Sequence, residues 1–203
     1  AGRKSLFMPV NRSVPDVAQK RKDWNSLISG FKASDLVFLD ESGCNTDMTR
    51  RYAYSLGGSR AVDSAPLSKP KNTTILSSIQ LDGTLRYTTF SGGTTVERFK
   101  RYLETDLLPH LNGNSVLIMD NMKSHHAKAV RNLLDSSEIR YIYLPPYSPD
   151  LNPIEKLWSK VKAFLRKFKA RTLDALPNAI QNAFHSVTIS DCSGWFRFCG
   201  YAL

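Results

Sequence analysis

The chain has 203 residues, 41% of them hydrophobic, which suits one substantial core with a small appendage and argues against long disorder. Its 28 Lys and Arg against 18 Asp and Glu give a formal charge of +10, an excess that points to a polyanionic partner, most simply nucleic acid. No apolar stretch approaches membrane-spanning length, and the polar start Ala1-Gly2-Arg3-Lys4 is no secretory signal; the three cysteines lack a Cys-x-x-Cys pair and read as free thiols in a reducing compartment.

In chain order, residues 1–14 read as irregular and basic. Ser13 then caps a helix with Pro15 in its first turn and Val17, Trp24, Leu27 and Ile28 as its apolar stripe. A first strand is predicted over residues 36–40, and a Gly- and Arg-rich stretch over 43–70 holds a strand candidate at 51–55. Residues 74–80 and 84–90 read as a hairpin turning at Asp82-Gly83. Val96, Phe99, Leu103 and Leu107 mark an amphipathic helix that ends near Pro109.

The second half alternates. A strand over 115–119 precedes a helix carrying Ala127, Val130, Leu133 and Leu134, and a strand over 140–144 enters a proline-rich loop. A long helix is predicted over 153–168, and a helical tail after Thr172 ends in the aromatic cluster Trp195, Phe196, Phe198 and Tyr201. This order predicts an α/β fold, a mixed sheet whose later strands are parallel and joined by helical crossovers.

Three carboxylates stand out. Asp40 ends the apolar run Leu36-Val37-Phe38-Leu39, and Asp120 ends Val116-Leu117-Ile118-Met119. Glu155 lies in Ser148-Pro149-Asp150-Leu151-Asn152-Pro153-Ile154-Glu155, with thirty-four residues between it and Asp120. Acids at the carboxyl ends of buried strands face the crevice where open α/β sheets bind ligands. Two of them with a third on a nearby helix make an oxygen-rich site for divalent metal, and in so basic a chain the matching substrate is a phosphodiester. Glu155 also has a local reading, as the third position of a variant capping box begun by Asn152 and Pro153. Glu41 is expected on the opposite face of the strand from Asp40. Asn121 and His125, close after Asp120, read either as groups orienting a ligand or touching phosphate, or as makers of structural hydrogen bonds. Asp150 reads as a loop cap or a group behind the metal ligands.

On the long helix, Ile154, Leu157, Trp158, Val161, Leu165 and Phe168 repeat at core spacing, while Glu155, Ser159, Lys162 and Arg166 form a polar strip. Lys156, Lys160, Lys162, Arg166, Lys167, Lys169 and Arg171 make a basic run without an acid. It reads as a solvated face or, beside a metal site, as a surface for the DNA backbone.

The blocks Leu39-Asp40-Glu41-Ser42-Gly43, Met119-Asp120-Asn121-Met122-Lys123-Ser124-His125 and Leu144-Pro145-Pro146-Tyr147-Ser148-Pro149-Asp150 through Glu155 resemble the catalytic blocks of DDE transposases of the mariner superfamily. The likeness is strongest to its bacterial insertion-sequence branch, whose C-terminal ending is similar to Trp195-Phe196-Arg197-Phe198-Cys199-Gly200-Tyr201. The resemblance implies an RNase H-like fold and places the acid triad on Asp40, Asp120 and Glu155. It implies two Mg²⁺ ions per active site, with Mn²⁺ able to substitute. The activity it implies is cut-and-paste DNA strand cleavage and transfer, with insertion at TA. The implied partners are transposon-end and target DNA, the implied assembly a homodimer, and the implied location the bacterial cytoplasm at the nucleoid. Another RNase H-like nuclease and a non-enzymatic DNA-binding descendant of a transposase are the alternatives. Relatives carry N-terminal helix-turn-helix modules, for which residues 1–35 are too short. The expected layout is a linker remnant and helix over 1–35, the catalytic core over 36–171, and a helical extension packed on it over 172–203.

Overall fold

The computed structural model describes residues 15–49 and 72–201, together with residues 55, 57, 59, 60 and 62. Ser13 and almost all of the strand candidate at 51–55 lie outside the described residues.

Strand β1 (Leu36–Cys44) is the centre of a five-stranded sheet in the order β3-β2-β1-β4-β5. It pairs antiparallel with β2 (Thr73–Ile79), which pairs antiparallel with β3 (Leu85–Ser91). On its other side it runs parallel to β4 (Val116–Met119), and β4 runs parallel to β5 (Arg140–Tyr143). The hairpin closes at Gly83, whose φ of +90° suits a residue without Cβ, and the Asp82 carboxylate accepts from the Thr84 amide. β1 runs four residues past the predicted end at Asp40. The apolar run stops there, but the ladder to β2 continues through Cys44↔Thr73.

Period-two alternation in β1 splits the core between two faces. Leu36 and Phe38 pack with Trp24 of α1 (Pro15–Ile28) and with α4 (Ile154–Phe168), α5 (Ala175–His185) and α6 (Ile189–Phe198). Val37 and Leu39 pack on the other side, against Phe99 and Tyr102 of α2 (Val96–Tyr102) and Val130 and Leu134 of α3 (Lys128–Ser136). α2 loosens into a wider turn over Leu103–Leu107 and a 3-10 turn over Leu108–His110. Of the aromatic tail, Phe196 and Tyr201 belong to the first face and Trp195 packs against it, whereas Phe198 is exposed. Phe38 meets the ring of Phe196 edge-on at 5.4 Å and that of Tyr201 at 5.0 Å.

Two apolar assignments are corrected. Leu27 is 47% exposed, because α1 turns Val17 and Trp24 inward instead. Phe168 is 45% exposed: the helix stops at Lys169, which takes a left-handed φ of 57°, and the core closes with Ala170. Among the described residues, no helix is long and apolar enough to cross a membrane.

Candidate active site

β4 ends at Met119, which pairs with Leu39, while β1 runs on to Cys44; Asp40 and Asp120 are the next residues in the chain after that pair. In open α/β sheets the ligand crevice lies outside the carboxyl ends of the parallel strands. α4 starts across that crevice and brings Glu155 to it. All three acids line one open cavity of about 570 Å³, walled also by Glu41, Asn121, Met122, Asn152 and residues 144–149.

Asp40 is almost fully buried. Its Oδ1 accepts from the Glu41 amide at 2.7 Å and its Oδ2 from Trp158 Nε1 at 3.1 Å. Burial, with the nearby charges of Asp120 and Glu155, pushes its pKa up to about 7 against those two hydrogen bonds. Asp120 moves the other way. Burial would raise it, but hydrogen bonding and charge from His125 and the Met122 amide hold it below the ordinary aspartate value. Glu155 is raised by burial and by Asp120, with Lys162 pulling it back.

His125 sits fully buried between two carboxylates. Its Nδ1 lies 2.8 Å from Asp120 Oδ1 and its Nε2 3.1 Å from Glu41 Oε2, while its ring stacks on Phe99 at 4.2 Å. Carboxylates at both ring nitrogens favour imidazolium, which donates from each. Burial lowers its pKa, yet the bonds and charges of Asp120 and Glu41 outweigh that and carry it to about 9. Glu41 alternates away from Asp40 along β1, yet it too lines the cavity and meets His125 beside it. Asn121 donates from Nδ2 to the Leu144 carbonyl, tying the end of β4 to the end of β5.

The capping box at α4 is absent. Pro153 occupies the cap position, no side chain caps the helix, and Glu155 instead faces the cavity. The basic run divides. Lys162 and Arg166 line a second cavity of about 390 Å³ with Gly43, Asn45 and Asn72, and Arg171 donates to the Thr46 carbonyl at 3.4 Å. Lys160 turns to α6 and pairs with Asp191, and Lys156 lies 3.8 Å above the ring of Phe198. Lys167 is exposed, and Lys169 closes the helix.

Two participants carried little local signal. Trp158 keeps core spacing, and only its indole N–H, which needs a partner when buried, hinted at Asp40. Arg21 sits on α1 and reaches Ser148 and Asp150 of the cavity loop across more than a hundred residues.

The donor chemistry fits a divalent ion. Hard carboxylate oxygens of like charge meet in one cavity, and Glu41 Oε1 and Asn152 Oδ1, buried beside it, find no partner among the described groups. The acids are not gathered into a finished ligand set, since no group of three or more His, Cys, Asp or Glu among the described residues stands at metal-holding spacing. Their mutual repulsion opposes such a gathering.

A five-stranded mixed sheet flanked by helices, with acids just past the last paired residues of its central parallel strands, is the RNase H-like architecture. Residues 35–177 match the model of the DDE superfamily endonucleases, and the chain belongs to that family. It is 29% identical over 97 residues to the Transposable element Tc1 transposase of Caenorhabditis elegans, covering 46% of this chain and 36% of that protein. Its fold matches Mos1 transposase in a paired-end complex with the left transposon end, at a TM-score of 0.80 and 18% identity, over 97% of this chain and 62% of that one. The crystal structure of the Mos1 mariner catalytic domain matches with a TM-score of 0.66 and 16% identity, over 91% and 88% of the two chains. The chain therefore spans about a third of the Tc1 protein and under two thirds of the Mos1 chain in its complex.

Proposed function

We propose that this chain is the catalytic domain of a cut-and-paste DNA transposase, of the insertion-sequence kind within the mariner superfamily. It would hydrolyse a phosphodiester at the transposon end and join the freed 3′-OH to target DNA, at TA. The observation that carries this reading is the convergence of Asp40, Asp120 and Glu155 on one open cavity in a chain of this family. Asp40 and Asp120 would be ligands shared by two Mg²⁺ or Mn²⁺ ions, with Glu155 completing one shell. Bound there, the ions supply activation of the attacking oxygen and stabilisation of the departing 3′ oxygen.

The chain's own groups prepare that site. Trp158 and the Glu41 amide orient the Asp40 carboxylate, and His125 with the Met122 amide holds Oδ1 of Asp120. Lys162 and Arg166 follow Glu155 along α4 and suit the DNA backbone entering the cavity. Complexes of Mos1 with transposon ends, one of them with Mn, support DNA as the partner, and a homodimer on paired ends is the assembly we propose.

The test is cleavage of duplex DNA in Mg²⁺ or Mn²⁺, beside Asp120→Asn and beside a pre-nicked duplex that offers a free 3′-OH. Cutting and joining that require both metal and Asp120 are expected. Metal-dependent activity retained in Asp120→Asn would sink the assignment, and preference for an RNA–DNA hybrid would favour a different RNase H-like nuclease.

A further inference from the structure

The loop from β5 to α4 makes much of the cavity wall, and it is poorly equipped to hold itself. Pro145, Pro146, Pro149 and Pro153 bring no amide donor, so four positions in this short stretch add nothing to a backbone ladder. Its anchors are side chains from elsewhere. Asn121 holds the Leu144 carbonyl, and Tyr201 donates to the Leu151 carbonyl. Arg21 is a charged anchor. Its Nη2 donates to Asp150 Oδ2 at 2.7 Å, and its Nη1 to Asp150 Oδ1 at 3.2 Å and to the Ser148 hydroxyl. Ser148 is buried and extends the chain of bonds to the Pro146 carbonyl at 3.1 Å.

Arg21 stands on a firm base. Trp24, one turn further along α1, is 3% exposed in the core, so the helix is docked and its guanidinium has a fixed origin. The paired hydrogen bonds to one carboxylate fix direction as well as distance. Downstream of Asp150, the 3-10 turn Pro149–Leu151 leads within four residues to Glu155, whose amide bonds back to the Asn152 carbonyl.

We infer that Arg21 is a positioning residue for the active site: by clamping Ser148 and Asp150 to α1, it sets the cavity wall and the start of α4, and so places Glu155. The inference rests on the proposed nuclease function, but its first readout does not. Hydrogen exchange at the amides of Leu151, Asn152, Glu155 and Lys156 is compared between the wild-type chain and Arg21→Ala. Exchange is expected to quicken there while core amides of β1 and β4 keep their protection. Unchanged exchange in the loop, or equal acceleration in the core strands, overturns the proposal whatever the activity.

The second readout is Mn²⁺-dependent cleavage. Arg21→Ala is expected to lower kcat about 10- to 100-fold, the cost of misplacing a reacting group by an ångström or less, with KM for DNA little changed. Arg21→Lys, which keeps the charge but loses the fork, should fall between the two. Because Arg21 and Asp150 share an ion pair, the losses of Arg21→Ala and Asp150→Ala should add to less than their sum in the double variant, and fully additive losses would overturn the shared clamp. If the wild-type chain cuts no DNA, the exchange result alone decides the clamp.

Discussion

Asp40 is held in a state that conflicts with stability. A buried carboxyl with a pKa near 7 binds a proton in the folded chain that it would release at about pH 4 when unfolded. Below pH 4 both states are protonated and there is no penalty. Between pH 4 and 7 the folded chain binds more protons than the unfolded one, so stability falls as pH rises, and above 7 the loss is complete. At 1.36 kcal/mol per unit of pKa, the ceiling of that loss is about 4 kcal/mol. Asp40→Asn removes the titration and keeps an acceptor for Trp158 or for the Glu41 amide. We therefore expect metal-free Asp40→Asn to melt higher than wild type at pH 8, with the advantage shrinking toward pH 5. Thermal melts across that range in chelator check it, and parallel curves for the two proteins would show that Asp40 is not strained by burial. The acid itself was legible in the sequence, because it ends an apolar run. Its neighbours' roles were not: alternation put Glu41 on the far face, yet Glu41 also lines the cavity and is joined to Asp120 by His125, folded back from beyond β4.

Most of the elements could be read from the sequence, because strand runs, the Asp82-Gly83 turn and the α4 periodicity are local signals. What misled was context. β1 outlasts its apolar stretch because a neighbouring strand continues to pair with it, and Phe168 loses the core because a left-handed residue ends the helix after it. The basic run on α4 makes the same point, since spacing shows charge but not which side the charges serve. Lys162 and Arg166 share a face with Glu155, whereas Lys160 pairs with Asp191, a residue that also closes the capping box of α6 with Thr188. Replacing Lys162 and Arg166 with Gln should weaken DNA binding and make the salt dependence shallower, by about one unit of slope for each phosphate no longer neutralised. Replacing Lys160 with Gln should leave that slope alone and cost about 0.5–1 kcal/mol of stability, the scale of a partly exposed ion pair. Fluorescence-anisotropy titrations at several salt concentrations, beside melts of each variant, separate the two. Equal salt slopes in all of the variants would mean that α4 does not touch the DNA backbone.

At the scale of the whole molecule, the three acids come from three separate parts of the architecture: the middle of β1, the end of β4 and the first turn of α4. The sheet holds the first two in register, but nothing in the strand ladders fixes α4 against them. That join rests on core packing of Trp158 and Leu157, on the indole bond to Asp40, and on the loop clamped by Arg21. An ion binding all three carboxylates would be a cross-link between the sheet and α4, and would also offset the repulsion that raises Asp40 and Glu155. Such an ion binds the folded chain and not the unfolded one, so it stabilises by RT ln(1 + [L]/Kd), about 2.7 kcal/mol at a hundredfold excess over Kd. In a domain of this size that is a rise in Tm of roughly 5–10 °C. Mn²⁺ or Mg²⁺ should therefore raise the melting temperature of the wild-type chain, less so for Glu155→Gln and hardly at all for Asp120→Asn. Because binding requires Asp40 to lose its proton, the rise should be larger at pH 8 than at pH 6. A rise of equal size in the wild type and Asp120→Asn would place the ion elsewhere on the protein and separate these acids from metal binding.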